Sequence, residues 1–536
     1  MSDATSPPSD TGGRRALLAL LAVVLVLDLT GLRWGLPHWV APHVDDAARP
    51  ALDAMRHLFL ADTKYPKFHL ALLGAAYAPY LLWLWITGGL HLAGTSLDAA
   101  GASVFADPTA AFTTLLLIAR GLTVALHVGS VALLAGAARR LVRRPEAALF
   151  GAALWGLAPV IALFARSSNV DVPMCFWLAA AVLQLLRVAE RPSRGRLIAL
   201  AAIAVAGVGT KDQLAFALAP LALAVPVLVL ARRAADRRRA LADLALAAGL
   251  ALLAYGALSD LLWKPAQWAS RQAAWRADLA WFVDITAAQD TTTHLAQVTL
   301  RDIVFVGSPA FAVALAAALL SFAFVRTRQG LWFLGLMALY PLLLMSWLGF
   351  EQPRYVMPAV LFGCLFVACR ADAVLHALAA RRDGLAMRVA CGAGALLLLA
   401  ALAHAGQVAW ALTDDSRRAA QAWLAAHMPA GAVVETYQDP NHLPGLQAVG
   451  LVPRQTKDMT LAGLAQRAPD AIVIADDERW RWSHDQVAFV HALFAGQPRY
   501  AVVRFGPCAG SRTPVLVDPT TPARFWPDIA VLVRVE

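Results

Sequence analysis

Four separated stretches of this chain place carboxylates and cations where they could act on a phosphate and a hydroxyl. The first, PHVDDAARPALDAMRHLFLADTKYPKFH, has Asp45 and Asp46 side by side, followed by Lys64, Tyr65, Pro66, Lys67 and His69. A carboxylate can take the proton from an acceptor hydroxyl, while a cation neutralises a phosphate as it leaves. The second, ARSSNVDVPMCFW, holds Asp171, with Arg166 as an ion-pair partner within reach. The third, GVGTKDQLAF, offers Lys211 either to a phosphate or to its neighbour Asp212. In the fourth, EQPRYVMP, the Arg354 fork suits bidentate phosphate binding, or a headgroup anchor beside Tyr355. Each has a plain alternative: a solvated loop for the first, and for Asp171 a carboxylate that merely complements a helix N-terminus.

The elements that carry these stretches are membrane helices. Of 536 residues, 59% are hydrophobic and 15% charged, with a mean hydropathy of +0.58; a soluble domain has about 25% charged residues. The apolar residues come in blocks of about 17–25, enough to cross a hydrocarbon core of roughly 30 Å as helix. They lack strand-like alternation, so helices rather than a barrel satisfy the backbone. The net charge of +10 sits in short arginine clusters between the blocks: Arg14–Arg15, Arg139–Arg144, Arg191–Arg196, Arg232–Arg239, Arg326–Arg328 and Arg381–Arg388. That is the positive-inside pattern. Basic residues confined to such loops build no continuous groove, which argues against nucleic acid. Of five cysteines, four lie in or beside apolar blocks, so no disulfide framework is implied.

With every arginine cluster inside, about eleven spans alternate without conflict. They cover approximately 16–36, 111–136, 147–165, 172–188, 196–210, 212–231, 240–259, 308–326, 331–349, 355–371 and 388–412, with a long outer loop at 260–307. All four chemical stretches then fall on the outer side. Residues 68–92 are apolar enough to cross, but counting them would invert the cluster at Arg139–Arg144; parity favours an interfacial or re-entrant helix kinked near Pro79. Asp28, inside the first span, reads as a structural polar contact. The expected fold class is all-α polytopic membrane protein with a small C-terminal α/β domain. Residues 1–15 form the cytoplasmic N-terminus, 16–412 the membrane domain and 413–536 the outer domain. In that domain a helix at DDSRRAAQAWLAAHM precedes β-like runs AVVETY, DAIVIA, YAVVRF and IAVLVRV. Tyr437, Asp439 and His442 there could contact an acceptor, or form a plain surface loop.

The order of these motifs resembles the dolichyl-phosphate-mannose protein mannosyltransferase and aminoarabinose transferase superfamily, with the multi-span GT-C fold. That family's acidic pair after the first span is matched by Asp45 and Asp46, and its Tyr-Pro-Pro-Leu-like or Glu-Lys-Pro-like stretch by Tyr65, Pro66 and Lys67. Its Arg-x-Asp-x-Pro-like turn is matched loosely around Asp171, its Gly-x-x-x-Lys-like turn by Gly207 and Lys211, and its Arg-Tyr-x-x-Pro segment by Arg354, Tyr355 and Pro358. Roughly residues 15–410 are covered. Asp46 stands where Glu is commoner, Lys67–Phe68 where Pro-Leu is usual, and Asn169 at a position often filled by Arg.

The resemblance implies a bacterial inner-membrane glycosyltransferase with its tail in the periplasm. The donor would be a polyprenyl-phosphate sugar, attacked with inversion by a hydroxyl of a lipid, protein or glycan acceptor. Asp45 is then the expected general base, supported by Asp46 and Tyr65. Asp171 would position the acceptor, or a divalent metal, which stays open as a cofactor; Lys67, Lys211 and Arg354 would hold the donor phosphate. The alternative is a secondary transporter. Transporters tend to place charges near the midplane of internally repeated halves, whereas here the charges sit at one face and no repeat is evident.

Overall fold

The computed structural model describes residues 11–36, 45, 47–59, 66–91, 104–286, 292–322, 324, 328–348, 353–413, 415–438, 443–475, 483–496, 500–506 and 528–535. The chain divides into two compact units. One comprises Met1–Leu29, Ala54–Leu73 and Gly121–Gly406; the other comprises Thr30–Asp53, Gly74–Arg120 and Gln407–Glu536. In chain order the first helices are α1 (Thr11–Leu29), α2 (Ala48–Arg56), α3 (Lys67–Ile86), α4 (Pro108–Leu141), α5 (Pro145–Gly156), α6 (Pro159–Ala165), α7 (Asp171–Glu190) and α8 (Arg194–Val208). They are followed by α9 (Leu214–Arg232), α10 (Arg237–Leu258), α11 (Pro265–Thr286), α12 (Thr292–Gly307), α13 (Pro309–Ser321), α14 (Arg328–Leu348), α15 (Met357–Ala380) and α16 (Gly384–Ala411).

Among the described residues seven helices are long and apolar enough to cross a membrane, or nine if each sharply bent pair counts as one span. Eight of these nine coincide with expected spans. The other three expected spans fall on α1, which carries Arg14, Arg15 and Asp28, on α8, only 15 residues long, and on α14. The ninth is α3, a single unbroken helix of 20 residues with Pro79 inside it; at about 1.5 Å per residue it matches the hydrocarbon thickness. The span expected over 147–165 is broken: α5 and α6 meet at 61° where Pro159, which has no N–H to give the preceding turn, starts a new helix. The stretch 260–307, expected as a loop, is largely helical as α11 and α12. Neither carries a long uncharged apolar run, so hydropathy alone did not mark them.

α15 is the centre of the membrane unit. Every residue from Met357 to Arg370 is buried, the pattern of a helix apolar all round. By contrast Leu223 and Val227 of α9 and Leu396 and Leu399 of α16 are exposed, as lipid-facing residues should be. α5 approaches α15 so closely that a Cβ at Gly151 would lie 2.6 Å from the Cys364 carbonyl oxygen. Small residues permit such approach between membrane helices. Gly151→Leu is expected to separate the two helices and destabilise the protein by about 1–3 kcal/mol, read as a lowered thermal unfolding midpoint in detergent. The arginine clusters also tie helices together: Arg194 and Arg233 each hold Asp243 of α10 at 2.7 Å.

In the other unit α17 (Ser416–His427), α18 (Leu461–Arg467) and α19 (His484–Phe494) accompany a five-stranded sheet. Its strands are β1 (Val433–Thr436), β2 (Val452–Gln455), β3 (Ala471–Ala475), β4 (Tyr500–Phe505) and β5 (Ile529–Arg534), in the order β2-β1-β3-β5-β4. β1 runs parallel to β2 and β3, while β5 is antiparallel to β3 and β4. The helix and four of the strands match the expected runs. β2 escaped because Pro453 interrupts it, which an edge strand tolerates. Glu435, fully buried on β1, is gripped by Arg467 at 2.7 and 2.8 Å and receives the Tyr437 hydroxyl at 2.6 Å. Hydrogen bonding to Glu435 pushes the Arg467 guanidinium up, and burial together with that carboxylate pushes the Tyr437 phenol up. Arg467→Met would strand the Glu435 charge; an expected loss of about 3–5 kcal/mol would appear as early unfolding of this unit in the full-length protein.

Candidate functional site

In the membrane unit three of the expected site residues come together. Asp171 opens α7, its N–H donating to Asn169 Oδ1 at 2.8 Å, and its carboxylate is fully buried. Lys211 Nζ forms a hydrogen-bonded ion pair with Asp171 Oδ1, and Arg354 Nε lies 3.8 Å from Oδ2. Both cations stand over the Tyr355 ring, at 5.0 Å for Lys211 and 5.6 Å for Arg354, a favourable cation–π geometry. One buried carboxylate therefore holds two cations whose side chains keep 15% and 17% exposure. They are anchored but still reachable.

The turns that present these cations are stitched to each other. Arg354 and Tyr355 sit in one turn of 3-10 helix, Pro353–Val356, that leads into α15. Gln213, just past Lys211, donates to the Tyr340 hydroxyl at 2.7 Å and to the Tyr355 carbonyl at 3.3 Å, and Tyr340 donates to the same carbonyl at 2.8 Å. Gly207 and Gly209 let this turn close. A Cβ at Gly209 would meet Phe68 Cβ at 2.9 Å, and one at Gly207 would meet the Leu214 side chain at 2.3 Å. Phe68 N–H donates to the Gly209 carbonyl at 3.1 Å, which brings the start of α3 against the turn.

Lys67 is held differently. Its Nζ contacts the Asp260 carboxylate at 2.6 and 2.7 Å and the Phe59 carbonyl at 2.6 Å. Asp260 has φ +66°, a left-handed conformation uncommon away from glycine, and it ends the α10 side of the elbow into α11. Arg166 donates to the Leu27 and Ala162 carbonyls, tying α6 to the end of α1. Beside it Asp28 pairs with His127 at 2.6 Å, both fully buried, in keeping with the structural reading of Asp28.

Asp45 belongs to the other compact unit. Its carboxylate is buried and bound by Arg120 through Nε at 3.2 Å and Nη2 at 2.6 Å. Arg120 also donates to the Leu32 and Trp34 carbonyls, at 2.6 and 2.8 Å, and stacks 4.3 Å from the Trp34 ring. Arg417 reaches the same indole at 5.4 Å while pairing with Asp415 at 3.0 Å. Sequence reasoning missed Arg120, although a guanidinium inside the apolar run LLLIARGLTV was a signal: a charge there needs a partner. Asp46 and Tyr65, and in the tail Asp439 and His442, lie outside the described residues. No group of three His, Cys, Asp or Glu side chains gathers among the described residues. Asp171 is enclosed by the cations Lys211 and Arg354, a donor setting that does not suit a divalent metal.

Residues 110–257 match the sequence profile of the family described as dolichyl-phosphate-mannose-protein mannosyltransferase. No curated protein matches the chain. Among solved structures, one that it is similar to is the S. cerevisiae protein O-mannosyltransferase Pmt1-Pmt2 complex bound to the sugar donor. The identity is 15% and the TM-score 0.36, over 48% of this chain and 34% of that one, so this chain spans about a third of that relative's length. ArnT from Cupriavidus metallidurans bound to undecaprenyl phosphate is similar at 15% identity and TM-score 0.44, over 98% of both chains. The oligosaccharyltransferase AglB from Archaeoglobus fulgidus is similar at 12% identity and TM-score 0.46, over 88% of this chain and 70% of that one. The matched segment runs from α4 through α10 and contains both Asp171 and Lys211; over it the chain resembles the dolichyl-phosphate-mannose-protein mannosyltransferases, as its motifs predicted.

Proposed function

We propose that this chain is a glycosyltransferase that moves a sugar from a polyprenyl-phosphate donor to an acceptor hydroxyl at the periplasmic face of a bacterial inner membrane. The observation that carries the reading is the nest in which buried Asp171 gathers Lys211 and Arg354. Two anchored, partly exposed cations are what a leaving phosphate monoester requires. Asp45 takes the proton of the acceptor hydroxyl as its oxygen attacks the anomeric carbon. The bond from that carbon to the phosphate oxygen breaks, its electron pair staying on the phosphate, where Lys211 and Arg354 meet the added charge. Asp171 keeps the two cations in register. Lys67 is a further cation for the phosphate, with Asp46 and Tyr65 supporting the first loop. Residues 16–412 act as the membrane catalytic domain and 413–536 as a periplasmic α/β domain, with a lipid, protein or glycan as acceptor.

The test is release of polyprenyl phosphate from a labelled polyprenyl-phosphate sugar by the purified full-length protein. Turnover is expected only when lipid donor and acceptor are both present. Accumulation of a solute in proteoliposomes without any lipid donor would point to transport instead.

A further inference from the structure

Several of the buried polar atoms that lack a hydrogen-bond partner within the protein belong to the turn after α8 and to α11. Lys211 pairs with Asp171, but the next residue, Asp212, lies 4.0 Å from Arg271 Nη2 on α11, too far for a hydrogen bond. Asp212 Oδ1, both Arg271 Nε and Nη2, and Gln267 Oε1 are buried and unpartnered, as is Ser259 Oγ at the end of α10, while the Asp212 side chain as a whole keeps 40% exposure. Gln267 and Arg271 are four residues apart on α11 and so share one face of it. The elbow between α10 and α11 is pinned in place by the pairing of Asp260 with Lys67.

Buried polar groups are nearly always satisfied, and several left open in one place ask for a ligand that can satisfy them. The chemistry of the set narrows the choice. A phosphate there would be repelled by Asp212 and a cation by Arg271. A hydroxyl suits every member, since it accepts from Arg271 and donates to Asp212 or to Gln267. Asp212 adjoins Lys211 in the chain, and in a polyprenyl-phosphate sugar the hydroxyl-bearing ring is bonded directly to the phosphate.

We propose that Asp212, Gln267 and Arg271 form a subsite for the neutral, hydroxyl-bearing sugar ring of the donor. This rests on the reading that Lys211 holds the donor phosphate, and the experiment separates the two. Undecaprenyl phosphate and its glucose, mannose and galactose conjugates are titrated onto the full-length protein in nanodiscs. The wild type is expected to bind one conjugate at least about tenfold more tightly than the bare lipid. Gln267→Leu, and independently Arg271→Gln, are expected to remove that preference while bare-lipid affinity stays within about twofold. Lys211→Met is expected to weaken bare and glycosylated lipid together. No preference for any conjugate in the wild type, a preference that both α11 variants keep, or equal loss of bare and glycosylated lipid in those variants would overturn the subsite. Unchanged bare-lipid binding in Lys211→Met would overturn the phosphate reading alone, and the conjugate preference would still decide the subsite.

Discussion

Asp45→Asn is expected to lower turnover by about 10²- to 10⁴-fold, the contribution of a positioned general base, while donor affinity stays near that of the wild type. Asn preserves the volume of the side chain and can still accept a hydrogen bond from Arg120, but it cannot take a proton. Arg120 engages each carboxylate oxygen once and so fixes the orientation of the group. The same pairing gives Asp45 a structural task. Breaking a buried ion pair from one side costs about 3–5 kcal/mol, so thermal unfolding must be followed beside the kinetics. A purely structural role would weaken donor binding and turnover together. Wild-type turnover in a folded Asp45→Asn protein would remove it as the base.

Lys211→Met should lower kcat/KM for the lipid donor by about 10²- to 10³-fold, the cost of one missing donor group at a developing oxyanion. The lysine is already desolvated to 15% exposure and held by Asp171, so little ordering remains to be done when phosphate arrives. Arg354 stays in place at 3.8 Å from Asp171 and prevents complete loss. Lys211→Arg is expected to recover part of the activity, because the charge returns with a different fork geometry. Competition by undecaprenyl phosphate gives an independent measure, since its inhibition constant should rise in Lys211→Met. Equal inhibition of wild type and variant would take Lys211 out of the phosphate site.

The site was legible in unequal parts. Asp171, Lys211 and Arg354 stood out because each is a charge beside an apolar run, and such charges are few. Their roles toward one another were not legible. Lys211 was weighed as a partner for its neighbour Asp212, yet it pairs with Asp171, 40 residues away. Lys67, expected to hold the donor phosphate, pairs with Asp260, 193 residues on. Asp45, expected as the general base and otherwise as part of a solvated loop, is buried on Arg120, 75 residues on.

The sequence by itself determined the membrane class, most of the helices, and four of the five strands. Those follow from hydropathy and periodicity, which act over one or two turns of chain, and the arginine clusters added an expected orientation. Only the tertiary structure decided which carboxylate neutralises which cation, that α5 and α6 bend at Pro159, and that α11 and α12 form where a loop was expected. Charge pairing is set by where helices pack. Packing depends on side chains far apart in the sequence, such as Gly151 against Cys364, which leave no local pattern to read.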